Sequence, residues 1–441
     1  MQGKPRQGKA RQGKARQGEA RQNKTRQVKA NKGKPTQCTR YDKAGLSMAW
    51  QSRKDTVRYG KILPEVTEYY NGKPVNKAKQ NQKFSPKRLF KEIFLPSGYP
   101  HSVTTDYLAY QFWDTVQALA SSLTGVLSTA AILKGAGVGN QEATVLSAAL
   151  SWILKDGVGM IGRIIFAWCY GTCLDSDSKR WRLMADLLND VSFFVDLLAG
   201  FLPQSYFVFI VCMSTLMRTI VGVSGGATRM AIIRHQARRE NLADVAAKDG
   251  SQETLVGLIS LALSIITLPL VESNKHLVWI LFTILTAIHL TANYKAVTVL
   301  EFDVFNENRL KIVAKEFTKS GRILRKKEAN SRENQQLFCF ESKNRYYGCS
   351  LKKIEEFESK KTVKYAVGGC NAIIAYNEKE GGAIFNKDIT VKELLLAAFR
   401  LEFEILGSTK FDATEFAEKL KRNGWSLDSH LLLMDEYSFE D

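Results

Sequence analysis

The stretch WRLMADLLNDVSFFVDLLAG sets three carboxylates, Asp186, Asp190 and Asp196, among leucine and phenylalanine. Residues four apart lie one above the other on a helix, and ten positions is close to three turns, so the three acids can share a face. A charge inside an apolar layer costs roughly 2.5–3.5 kcal/mol on insertion scales and persists only when paired or hydrated. The cations available to answer these acids are Lys155, Arg163 and Arg218. Lys155, Asp156 and Arg163 interrupt an otherwise apolar run over residues 143–171. The chemistry such a set can do is to line a polar pathway or hold a ligand. The plainer alternatives are a structural ion-pair network, or charges lying at a membrane surface. No serine nucleophile with a base, and no carboxylate pair with a partner, is visible, so catalysis is not expected.

A second polar concentration is RHQARRENLADVAAKDGSQET, residues 234–254, which separates two of the most apolar parts of the chain. From Arg229 to Arg239 there are four Arg and no acid; from Glu240 to Glu253 there are four acids and one Lys. Basic residues after one helix and acidic residues before the next suit the two helix dipoles. The stretch therefore reads as a helix-to-helix connector docked at a membrane surface, with Asp249 as an N-cap, Gln252 at the third helical position, and Asp244 and Lys248 as a pair four apart. It is also the densest polar cluster beside glycine-rich backbone, which makes Arg229, Arg234, Arg238, Lys248 and Asp249 candidates for ligand contact.

Other motifs carry less. GVGMIG at Gly157–Gly162 has the letters of a dinucleotide loop, but the Ala-rich segment before it reads as helix. The eleven residues from Ile161 to Gly171 leave no room for both a helix and a strand. It reads as a glycine-lined helix contact. SGGATR at Ser224–Arg229 lacks the ending of a phosphate loop; a glycine break there would line a polar cavity. Seven Cys without a CxxC pair and five dispersed His give no metal constellation and no disulfide framework. Neither a cofactor nor a metal is expected.

These residues need elements to hold them, and the apolar runs supply them. A bilayer core is crossed by roughly 20 helical residues. Residues 197–217, 254–271 and 277–294 are uncharged apart from His289, and 116–133, 143–171 and 215–233 are weaker candidates rich in small residues, which in lipid let helices approach closely. The linker ESNKH is too short for anything but an antiparallel helical hairpin. Before the runs, YLAYQFW resembles an interfacial aromatic belt, on a helix capped by Thr104 or Thr105 with Asp106 in its first turn.

The net charge of +19 points to no nucleic acid, because residues 1–40 alone hold thirteen Lys and Arg against one Glu. That segment is a degenerate array, RQGKA, RQGKA, RQGEA, RQNKT, RQVKA, too polar to bury a core and expected to be disordered. A targeting segment, a non-specific basic tail and a functionless low-complexity stretch all remain open for it. It lacks the apolar region of a secretory signal. Residues 41–90 remain polar and irregular. Past residue 300 charge returns. VKYAVGGCNAIIAYN and GGAIFNK read as strands around glycine turns, VKELLLAAFRLEFEIL and ATEFAEKLKRNGW as helices, and HLLLM as a strand. The expected fold is mainly α, a polytopic helical membrane domain followed by a small soluble α/β domain. Its divisions are a disordered basic tail over 1–85, a helical membrane domain over 86–310 and a soluble α/β domain over 311–441.

FLPSGYPHSVTTDYLAYQFWDTVQ, SWILKDGVGMIGRIIFAW, KRWRLMADLLNDV, IVGVSGGATRMAIIRHQARRENLADVAAKDGSQETLV and IHLTANYKAV, in that order over about 220 residues, resemble the root UVB sensitive family. FAEKLKRNGW resembles it more loosely, and the basic repeat does not. The resemblance implies an integral membrane protein. Plant members are associated with ultraviolet-B responses, early seedling growth, auxin transport and pyridoxal phosphate homeostasis. It carries over no catalytic residue. The expected role is carrier-like or ligand-handling, in an organelle, plastids included, or the endomembrane system. A non-enzymatic scaffold recruiting partners through the C-terminal domain is the alternative. The expected partners are the lipid bilayer and a protein partner or homologous family member, with no nucleic acid; the ligand is unknown.

Overall fold

The computed structural model describes residues 49–58, 61–70, 73–75, 86–136, 145–199, 201–272, 274–337, 344–357, 362–367, 370–408 and 412–439. The pentapeptide array lies outside them. Three strands, β1 (Ala49–Arg58), β2 (Lys61–Tyr70) and β3 (Lys73–Val75), form one sheet in that order, with β2 and β3 antiparallel. They occupy a stretch whose polarity reads as irregular. The β-branched and aromatic residues of KILPEVTEYY favour pairing all the same.

The helical body is built from α1 (Pro86–Phe94), α2 (Tyr107–Gly135), α3 (Val145–Tyr170), α4 (Ser178–Leu198), α5 (Phe207–Gln236), α6 (Leu242–Glu272) and α7 (Lys275–Val299). Four of these, α2, α5, α6 and α7, are long and apolar enough to cross a membrane. Two boundaries differ from the sequence reading. The run over 197–217 is divided, because α4 ends at Leu198 and α5 starts at Phe207. Pro203 falls between them, and proline has no N–H with which to continue a helix. From Phe207 the α5 helix then passes unbroken through SGGATR to Gln236, so no glycine break opens there.

The charged stretch is also divided differently. Arg229 and Arg234 lie in the last turns of α5 and Asp244, Asp249 and Glu253 in the first turns of α6, while Arg238, Arg239 and Glu240 fall among the five connecting residues. Arg234 and His235 at the C-terminus of α5 and Asp244 at the N-terminus of α6 still match the helix dipoles. Asp249 is not an N-cap. It lies inside α6 and is buried, because its carboxylate is taken by other helices. Nor do Asp244 and Lys248 bond to each other: Asp244 accepts from the Ser97 N–H (2.6 Å) and Lys248 donates to the Glu92 carbonyl (2.5 Å), fastening α1 and the segment after it onto α6.

Beyond α7 come α8 (Glu307–Ser320), α9 (Lys326–Asn334), β4 (Arg345–Tyr347), α10 (Leu351–Phe357), β5 (Thr362–Val367), β6 (Cys370–Tyr376), β7 (Gly381–Asn386), α11 (Val391–Ile405), α12 (Ala413–Arg422) and β8 (Ser438–Phe439). The sheet order is β4-β7-β6-β5, with β8 alongside β7. β5, β6 and β7 are an antiparallel meander, whereas β4 and β8 pair with β7 in parallel. Thr390 and Glu393 form a capping box at the start of α11, whose buried face packs on the sheet together with Phe305, Phe416 and Trp425. HLLLM is not a strand: only His430 and Met434 make isolated bridges, to Phe305 and Tyr347. This region and the helical body belong to one compact unit, residues 79–441 together with 55–64.

Candidate functional site

The helical body buries charged and polar side chains among its apolar ones and leaves whole apolar helix faces outside. Ile164, Trp168 and Ile265 are 70%, 83% and 76% exposed on its outside, while Asp196 and His289 are completely buried. Single exposed apolar residues are ordinary in soluble proteins, but whole exposed helix faces are not.

The interior is a ladder between α2 and α4. Arg182 donates to Asp114 (2.8 Å), Gln117 to Asp186 (3.2 Å), Asn189 to Ser121 (3.0 Å) and Ser128 to Asp196 (2.6 Å). Both numbers rise together from rung to rung, so the two helices run side by side in the same direction. Residues 114, 121 and 128 on one helix, and 182, 189 and 196 on the other, recur every seven positions, the spacing that keeps a seam facing its partner. α7 adds His289, whose Nδ1 lies 2.8 and 2.9 Å from the two Asp190 oxygens and whose Nε2 lies 3.0 Å from the Gln117 amide nitrogen. α5 adds Arg218, which donates to both Asp196 and Ser128.

A cavity of about 350 Å³ opens between α2, α4, α5 and α6 beside the upper rungs. Asp114, Gln117 and Ser121 line it with Arg182, Arg229 and Asp249. Arg229 donates to Asp249 (2.5 Å) and Glu253 (2.6 Å), and Gln111 donates to the other Asp249 oxygen (3.2 Å). Both guanidiniums are thus held by carboxylates, in a pocket sized for a small molecule.

A second cavity, about 390 Å³, lies where α5 and the following loop meet residues 426–431. Arg234, His235, Arg238 and His430 line it. Arg238 donates to Asp303 (2.8 Å), and burial lowers the basicity of His430. Behind it Asp106 accepts from His235 (2.9 Å) and from the Glu301 N–H (2.7 Å). Burial alone would raise the Asp106 carboxyl, but the His235 hydrogen bond and charge prevail and bring it to about 2. This use of Asp106 accounts for the start of α2. Asp106 is its N-cap residue but makes no side-chain cap bond, and neither Thr104 nor Thr105 caps the helix.

The sequence-derived candidates therefore fall into four groups. Asp186, Asp190 and Asp196 face the α2–α7 interior, and Arg229 and Asp249 face the first cavity. Arg234 and Arg238 line the second cavity. Lys155, Asp156 and Arg163 sit on α3, where Lys155 pairs with its neighbour Asp156 (3.3 Å) and Arg163 is exposed. Lys248 holds α1. Asp114, Gln117, Arg182 and His289 escape a reading that looks only for charge within the longest runs. For Asp114 a signal exists in the seven-residue recurrence of Asp114, Ser121 and Ser128 through YQFWDTVQALASSLTGVLS; Arg182 shows the same spacing with Asn189 and Asp196. Among the described residues, no group of three or more His, Cys, Asp or Glu is placed to hold a metal ion.

Residues 80–321 match the family model described as the Vitamin B6 photo-protection and homoeostasis domain. The chain is 43% identical over 272 residues to RUS family member 1 of Dictyostelium discoideum, covering 61% of this chain and 51% of that protein. It is 40% identical over 242 residues to Protein root UVB sensitive 3 of Arabidopsis thaliana, covering 55% of each. Protein root UVB sensitive 5 of the same plant is 27% identical over 395 residues, or 86% of this chain and 72% of that one. The chain spans about half the length of the first two relatives. No solved structure matches.

Proposed function

For this chain, which belongs to the root UVB sensitive family, we propose a non-enzymatic, carrier-like role in a membrane, with a small polar ligand held in the cavity between α2, α4, α5 and α6. The observation that carries the reading is the inversion of polarity, with ion pairs inside and Ile, Leu and Trp faces outside. In water that arrangement wastes the hydrophobic effect. In hydrocarbon it satisfies both surfaces, since intramembrane charges belong in a bundle interior, paired or lining a cavity. Aromatic clusters near both ends of the helices support it further: Phe166, Tyr170 and Trp181 at one end, Phe194, Phe201, Trp279 and Phe282 at the other. An organelle or endomembrane setting, with plastids included, goes with this reading.

The family description names vitamin B6, so the ligand we propose first is an unphosphorylated B6 vitamer, a small pyridine alcohol or aldehyde. Carboxylate and guanidinium groups suit its hydroxyl and ring-nitrogen chemistry. The test is uptake of pyridoxal by vesicles containing the full chain. We expect uptake above protein-free vesicles, falling about tenfold or more in Arg182→Gln, which unseats Asp114. Alkaline extraction of the native membranes accompanies it. Release into the soluble fraction would refute the membrane reading, and uptake no faster than in empty vesicles would refute the ligand.

A further inference from the structure

Gln117 stands between two groups that its amide can serve together in only one protonation state. Its amide nitrogen lies 3.2 Å from an Asp186 oxygen and 3.0 Å from His289 Nε2. A carboxylate accepts and never donates, so the nitrogen, not the oxygen, of the amide must face Asp186. The same nitrogen can only donate to His289, so His289 Nε2 must carry a bare lone pair. The ring proton then sits on Nδ1 and is donated to Asp190, 2.8–2.9 Å away. The hydrogen bonds as they stand thus describe one protonation state.

We propose that Asp190 and His289 form a proton-binding site inside the helical body, and that the Gln117 amide carries its state to Arg182 and the ligand cavity. The inference rests on the reading of that cavity as a ligand site. A proton from solvent adds to the His289 Nε2 lone pair, no other bond being made or broken. Nε2–H must now donate, so the Gln117 amide turns to present its carbonyl oxygen. Asp186 loses a donor. Its remaining cation is Arg182, already 3.8 Å away and also bonded to Asp114. Arg182 moves toward Asp186 and loosens from Asp114, which lines the cavity.

The charges around His289 leave this route clear. From α4 come Asp190, Asp186 and Arg182, and from α2 comes Asp114, beside the uncharged Gln117. Asp249 and Glu253 of α6, which also touches α7, are engaged by Arg229; α9 meets α7 near Thr298, beyond His289, and its Glu333 is engaged by Arg309 and Lys179.

Coupling between sites is reciprocal, so a change in the cavity must be felt at His289. The test is nitrogen NMR of the full chain with labelled histidine in detergent micelles, the His289 signal being assigned by its loss in His289→Gln. At pH values above its midpoint the signal should be that of a neutral ring protonated at Nδ1. Asp114→Asn should move the His289 midpoint by about 0.7 pH units or more, the low end of ordinary coupling between sites. In a Gln117→Leu background the same substitution should move it by less than half as much. An equal shift in both backgrounds, or none with Gln117 present, overturns the proposal, as does a neutral ring protonated at Nε2. Should Gln117→Leu fail to fold, Gln117→Met keeps the length without the amide and gives the same comparison. The measurement uses neither ligand nor bilayer, so failure of pyridoxal uptake and failure of the switch are separate results.

Discussion

Asp196 shows what a single residue in this interior must have to be there at all. It is fully buried, and Arg218 and Ser128 hold it. Removing one partner of a buried pair leaves an uncompensated charge and costs about 3–5 kcal/mol, whereas replacing both with apolar groups is often neutral. Arg218→Leu should therefore destabilise the protein by about 3 kcal/mol, since Arg218 is itself partly exposed, and Asp196→Leu in the same chain should restore most of the loss. Thermal unfolding in detergent of the two singles and the double reads this directly. If the double is as unstable as the sum of the singles, the two residues are not acting as a pair. The acids of α4 and their shared face are legible from spacing alone. Their partners are not, because which helix stands opposite is a property of the assembled bundle. Arg218 is one of three cations the sequence offers, and only the packing selects it. Asp249 departs from its sequence pattern for a related reason. KDGSQET has the letters of a helix start, yet helix continues through it, because the Asp249 carboxylate is held by Arg229 and Gln111 and is not free to cap.

At the scale of elements the clearest dependence is α3 on α5. Among the helices α3 packs chiefly against α5, and its outward residues, Ile153, Met160, Ile161, Ile164 and Trp168, face away from the protein. GVGMIG makes this contact. A β-carbon on Gly159 would lie 3.1 Å from Thr215 Cγ2, and one on Gly162 would press on the Leu216 side chain. The literal dinucleotide motif is thus explained by close packing, where small residues let two helices meet. Gly159→Leu should cost about 1–3 kcal/mol, the usual penalty for overpacking. It should loosen α3 without disturbing the α2–α4 ladder. Limited proteolysis between α2 and α3, compared with unfolding followed at the aromatic cluster around Trp279, separates the two effects. Equal loss at both would show that α3 is integral to the bundle. Element existence was readable from runs of apolar length for α2, α3, α5, α6 and α7, and from the spacing of its acids for α4, whereas the short polar α1 gave no such run. Boundaries failed where one run served two helices, as between α4 and α5, and where side-chain chemistry moved a start, as at Asp106.

At the scale of the whole molecule, the question is what joins the helical body to the α/β region, a seam that composition alone marks as a change of solvent and not as a contact. Its centre is Glu333. Arg309 donates to both its oxygens at 2.9 Å, Lys179 from the first turn of α4 lies 3.1 Å away, and Asn306 donates at 2.9 Å while also reaching Asp177. Lys179 also donates to Asn330, whose side chain bonds both backbone groups of Phe302. Burial by itself would raise the Glu333 carboxyl, but Arg309 and Lys179 outweigh it and hold it at about 2, against an ordinary 4.5. A carboxyl depressed on folding contributes stability that is complete above its unfolded value and is lost as pH falls toward the folded one. That difference is worth about 3 kcal/mol, with about 2 kcal/mol of it gone by pH 3. Melting temperature in detergent should therefore fall steeply from pH 4.5 downward. Asp106 is depressed in the same direction, so wild type alone does not identify the source. Glu333→Gln should be less stable at neutral pH, because Arg309 and Lys179 are left buried without their counter-charge, and its melting temperature should fall less over the same range. If the two acid slopes match, the seam carboxylate is not what couples the two halves to pH. If the variant is flatter and the helical body also melts earlier, the α/β region is a brace for the bundle, held by one carboxylate between two cations.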